Sequence, residues 1–116
     1  MSESDLPTTI EEAFDLSTST IHAWEIAKIK YAVSVDGIVM SPHADEQSFE
    51  REFDIDDCYH VLNHGKAKTK DLPYNVEERQ PGISYEGNLV DGRRFLVKVG
   101  WWQDRYTIVT AHEKRR

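Results

Sequence analysis

At 116 residues, with 39% hydrophobic and 10% aromatic side chains, the chain is sized for one globular domain around one core. No apolar run approaches the ~18 residues of a membrane span, Met-Ser-Glu-Ser-Asp at the start is no secretory signal, and the single Cys58 cannot form an internal disulfide, which together point to a reducing cytoplasm. A formal net charge of −7 works against unassisted attraction to RNA or DNA.

In chain order, Thr9 with Glu12 fits a capping box that opens a short helix over residues 10–16, and the hydroxyl run Ser17–Thr20 breaks it. Ile21, Trp24, Ala27 and Tyr31 predict an amphipathic helix into about Ala32, although Tyr31, Val33 and Val35 also alternate as in a strand. Asp36-Gly37 marks a turn before a short buried strand over Ile38–Met40. Residues 43–53 read as a helix entered just after Pro42. A second helix begins near Asp54, with Ile55, Cys58, Val61 and Leu62 in one apolar stripe and Gly65 as its expected cap. Residues 66–82, with Pro73 and Pro81, read as one irregular strand and a loop.

From Ile83 the period changes to two. Ile83, Tyr85, Gly87 and Leu89 alternate up to the Asp91-Gly92 hairpin turn. Phe95, Val97, Val99 and Trp101 then form one strand face. After Gln103-Asp104, Tyr106, Ile108 and Thr110 alternate with Arg105, Thr107, Val109 and Ala111. The expected fold class is α+β: N-terminal helices followed by a three- to four-stranded antiparallel sheet.

Charge is unevenly spread. Residues 1–42 hold seven acids and two bases, and residues 43–92 hold twelve acids and five bases. Residues 93–116 reverse the sign, with seven bases and two acids. An acidic body joined to a basic end is compatible with a local anion site or with solvated surface charge.

Few residues carry a chemical signal. His60 and His64 sit at i, i+4, the spacing that puts two imidazoles on one helix face, but no third ligand follows and H-E-x-x-H is absent, so no metal is expected. Cys58 lies on an apolar stripe and reads as packing. No G-x-S-x-G, P-loop or G-x-G-x-x-G occurs, and no cofactor is expected. The remaining polar set includes His43, Arg51, Arg93, Arg94, Lys98, Thr110 and His112. Metal-free RNA cleavage needs a proton acceptor, a proton donor and phosphate-binding cations, roles that histidine and arginine can fill. His43 and Arg51, eight residues apart, fit one helix face; a helix-start histidine and an ion-paired arginine fit equally.

The ordered series Ser41-Pro42-His43-Ala44, Glu50-Arg51-Glu52-Phe53, Ile55-Asp56-Asp57 and Val61-Leu62-Asn63-His64-Gly65 carries a resemblance. Tyr85-Glu86-Gly87, the segment Asp91 to Val99, and Thr107 to Ala111 continue it. Over residues 38–112 the chain resembles a family of small domains of unknown function often associated with toxin–antitoxin-like loci. That family is similar to the RelE-like group of the barnase/EndoU/colicin/RELE-type ribonuclease superfamily. The resemblance implies a RelE-like domain over residues 38–116, a helix pair and a curled sheet, behind an acidic N-terminal extension over 1–37. It implies metal-independent endoribonuclease activity, with His43 and Arg51 as site candidates; from the polar set Thr110 joins them as a catalytic candidate, and Arg93, Arg94 and Lys98 are the candidates against phosphate. Gln47 stands near a position where the family commonly has an arginine. With that cation missing and the chain acidic, a non-catalytic module binding a protein partner, antitoxin-like or other, through an acidic surface is the first expectation, and the endoribonuclease the alternative.

Overall fold

The computed structural model describes residues 5–72 and 81–114. Pro73 and most of the expected loop before Pro81 lie outside these residues, as do the terminal Arg115 and Arg116. Four helices and five strands follow in the order α1 (Ile10–Ala13), α2 (Ala23–Ser34), β1 (Val39–Met40), α3 (Pro42–Arg51), α4 (Ile55–His64), β2 (Lys66–Asp71), β3 (Gly82–Asn88), β4 (Arg94–Trp102) and β5 (Arg105–Glu113). The class is α+β.

Local chemistry sets the helix starts. Thr9 and Glu12 form the expected capping box, yet α1 stops at Ala13, short of the expected residue 16. Phe14 is extended, with φ −141°, which drives its ring into the core edge-on to Tyr106 at a centroid distance of 5.6 Å. Burial of one large aromatic ring outweighs one more turn of exposed helix. Ser41 caps α3 by accepting from the Ala44 N–H at 3.1 Å, with Pro42 in the first turn. Asp54 and Asp57 cap α4 reciprocally, each side chain accepting from the other's backbone N–H at 3.0 Å.

Gly65 caps the end of α4 as the sequence predicts, with an extended backbone (φ −82°). Its requirement is proximity: a Cβ there would lie 2.6 Å from the Glu86 and Val61 carbonyl oxygens. The end of α4 therefore rests directly on β3, where Gly87 meets Gly65 backbone to backbone.

The sheet is mixed, in the order β1-β5-β4-β3-β2. It departs from the expected three- to four-stranded antiparallel sheet at both edges. β2 adds an antiparallel fifth strand, and β1 lies parallel to β5, pairing Val39 with Thr107 and Met40 with Ile108. One face of the sheet carries Ile83, Tyr85, Phe95, Val97, Val99, Tyr106, Ile108 and Ala111, all buried. Against them pack Phe14, Ile29, Ala32 and Val33 of the N-terminal segment together with Ala44, Phe53, Cys58, Val61 and Leu62. Residues before position 38 thus share the single core.

β5 holds a bulge: Val99 faces Ile108 while Lys98 faces Thr110, which leaves Val109 as the extra residue. The bulge reverses the alternation. Ala111, not Thr110, follows Ile108 onto the core face, and Thr110 moves to the opposite face beside Lys98.

Candidate functional site

The short β1 leaves most of the β5 edge unpaired, and α3 covers it. The Ser41 N–H donates to the Ile108 carbonyl at 2.9 Å. Nearly two helical turns on, Gln47 Oε1 accepts from the Ala111 N–H at 3.2 Å and from the Thr110 hydroxyl at 3.4 Å. Gln47 is therefore an edge cap for the sheet. An arginine here could donate but not accept, and would leave the Ala111 N–H unmet.

His43 and Arg51 occupy opposite ends of α3, separated along its axis by about 12 Å at the ordinary rise per residue. Both are exposed. His43 therefore stands apart from Arg51, which instead lies near the half-buried His112 of β5. There, burial first and the Arg51 charge second hold the imidazole below its ordinary pKa and favour its neutral form. Thr110 is tied to Gln47 and paired in register with Lys98.

Each expected phosphate-binding cation has an intramolecular partner. The Arg93 guanidinium donates to Asp91 Oδ2 at 2.8 Å and to the carbonyls of Arg51 and Glu52, at 3.3 and 3.1 Å. It fastens the β3–β4 hairpin to the C-terminal end of α3, where Glu52 turns left-handed with φ 54° and a cation suits the helix dipole. Arg94 reaches Glu86 and Asn88, both at 3.2 Å. Glu86 also takes Lys114 at 3.0 Å, and these partners hold its carboxyl below the usual range. Lys98 is buried and bonded to Asp71 at 2.7 Å. Arg51 and Arg93 line one cleft with Glu50, Glu52 and Glu113, so acids outnumber bases there.

Cys58 is fully buried, and burial followed by the charges of Asp57 and Asp54 pushes its thiol up to about 12. A thiolate is the nucleophilic form, so this sulfur is packing. Among the described residues no three histidine, cysteine or acidic side chains converge on a metal position. His60 and His64 do meet, with ring centroids 4.7 Å apart.

A different surface has the anatomy of a binding site. Between β1, α3 and the start of α4 runs an open groove of about 780 Å³. Its apolar wall includes Val39, Met40, Ile55 and Trp102, and Asp36, Asp45 and Asp54 stand along it. Asp36 is fixed by the Tyr59 hydroxyl, which donates to Oδ1 at 2.8 Å and to the Ile38 carbonyl at 2.9 Å. Phe49, one residue beyond Ser48 of the groove wall, is 82% exposed among Asp45, Glu46, Glu50 and Glu52. These residues escape sequence reasoning because neither Trp102 nor Phe49 belongs to any motif. The one available signal is an aromatic set in the acidic run Asp45 to Glu52.

Within the described residues no helix is long and apolar enough to cross a membrane. Comparison with family models, with curated proteins and with solved structures finds no match.

Proposed function

We propose that this chain is a RelE-like domain serving as a non-catalytic protein-binding module, which seats a basic polypeptide segment in the acid-edged groove between β1, α3 and α4. The groove carries this reading: it couples apolar area, which supplies affinity, to three carboxylates, which select for cationic flanks. The occupant is a protein segment of antitoxin-like or other origin bearing lysine or arginine around an aliphatic anchor. A polyanion is disfavoured because the groove and the exposed face of α3 are acidic and because Arg93, Arg94 and Lys98 are engaged internally.

The test is titration with an amphipathic lysine–leucine peptide, followed by backbone amide shifts, with a glutamate–leucine peptide as control. The expected result is saturable binding of the basic peptide alone, with shifts around Met40, Ile55 and Trp102. Asp45→Lys should weaken it about tenfold, a change of ~1.4 kcal/mol, and added salt should weaken it further. Binding indifferent to peptide charge and to Asp45→Lys would overturn the reading.

The endoribonuclease reading keeps one observation, the half-buried His112 beside the Arg51 cation, with its pKa held below the ordinary value. RNA cleavage by the purified chain that His112→Gln or Arg51→Ala abolishes would establish it in place of the binding module.

A further inference from the structure

We infer that His60 and His64 form a chelating pair for a late first-row divalent ion, Cu²⁺ or Zn²⁺, on the outer face of α4. The helix positions them four residues apart, on one face and one turn from each other. In the folded chain the rings have already met, with centroids 4.7 Å apart and planes tilted by 47°. Neither imidazole makes a hydrogen bond or ion pair among the described residues, so the nitrogens are not committed elsewhere. The core-facing side of α4 is held by Cys58, Val61 and Leu62, all buried, so the helix presents the pair without needing it for packing.

Two further features favour a cation here. His64 is the last residue of α4, whose final carbonyls give that end negative character. Asp57 is three residues before His60 on the same helical face, where its charge adds to the local field. Its Oδ2 is occupied by the Asp54 N–H, so the acid belongs to the helix cap and the protein supplies two ligands. Imidazole selects Cu²⁺ and Zn²⁺ over Mg²⁺ and Ca²⁺, which take oxygen ligands. With two protein ligands the ion retains open positions, which water or donors of a second chain fill.

The site is independent of the groove and of any catalytic reading. Calorimetric titration of the full chain with CuCl₂ and with ZnCl₂, and with MgCl₂ as control, tests it. The expected result is saturable binding of Cu²⁺ more tightly than Zn²⁺, no Mg²⁺ uptake, and a rise in unfolding temperature on Cu²⁺ addition. His64→Gln, at an exposed position, should weaken binding roughly tenfold or more through loss of one of two ligands. His43→Gln should leave it unchanged. Nuclear magnetic resonance should show Cu²⁺ broadening centred on His60 and His64. Absence of saturable Cu²⁺ binding, or binding that survives His60→Gln and His64→Gln together, would overturn the assignment.

Discussion

At the residue scale, Gln47, Arg93 and His112 show how a side chain's role depends on what lies far off in sequence. Gln47 answers the Ala111 N–H, and Arg93 answers the carbonyls of Arg51 and Glu52. Spacing within one segment cannot reveal either partner, which is why these fastenings are not legible in the sequence. His112 carries a measurable consequence. Its folded-state pKa lies below the ordinary value near 6.5, so the unfolded chain takes up the proton first. Its contribution to stability is present above that value and is lost as pH falls from there through the folded-state pKa. Urea unfolding midpoints should therefore decline as pH falls below about 6.5, and His112→Gln should flatten that part of the profile. An unchanged slope in the variant would assign the decline to other groups. Asp15 does not confuse this window, since the hydrogen bonds of Ser17 and His22 hold it at about 2 and displace its own loss of stability to stronger acid.

At the scale of elements, the helix starts were legible because their chemistry is local: Thr9 with Glu12 reaches over one turn, and the run of acids from Asp54 opens α4. The β4 faces were legible because Phe95, Val97 and Val99 keep an unbroken period of two. The bulge at Val109 was not, since it depends on how two strands meet. Nor was β2 seen as a full strand: Lys66, Lys68 and Thr69 are exposed, as befits a charged sheet edge, and hide the period. The most consequential hidden link joins β2 to α2. Lys70 Nζ bonds Glu25 Oε2 at 2.9 Å and the Thr20 carbonyl at 2.9 Å, with both side chains almost wholly buried. Glu25 also accepts from the backbone N–H of Asp15 at 3.0 Å and of His22 at 2.7 Å. Lys70→Met should cost about 3–5 kcal/mol, because it leaves a carboxylate buried without its counter-ion. Many buried pairs can be exchanged for apolar residues at little cost, but here Glu25→Leu with Lys70→Met would orphan two N–H groups and one carbonyl. The double variant should stay at least as unstable as the single one in urea unfolding. Recovery to the parent midpoint would mean that the pair serves no backbone role.

At the scale of the whole molecule, charge and core pull the chain together across the limits of the resemblance. In the basic C-terminal segment Arg93, Arg94, Lys98 and Lys114 are met by Asp91, Glu86 and Asp71 from the acidic middle. Of the carboxylates outside these pairs, Asp36, Asp45 and Asp54 stand along the groove. The core crosses position 38 in the same way. Phe14, Ile29, Ala32 and Val33 are at most 8% exposed, and the Tyr106 hydroxyl donates to the Ala13 carbonyl at 3.2 Å. Burying each of the larger side chains contributes about 1.5–3 kcal/mol, and stripping Lys70 of Glu25 removes about 3–5 kcal/mol more. Their sum is comparable with the ~5–15 kcal/mol that holds an ordinary domain together. A fragment of residues 38–116 should therefore lack a cooperative unfolding transition and dispersed amide resonances, although it contains the whole segment that carries the RelE-like resemblance. Adding back a peptide of residues 5–37 should restore both, because the contacts it supplies are buried ones. A fragment that folds alone would show instead that α1 and α2 are an appendage, and that the groove wall from Ile38 onward can be assembled without them.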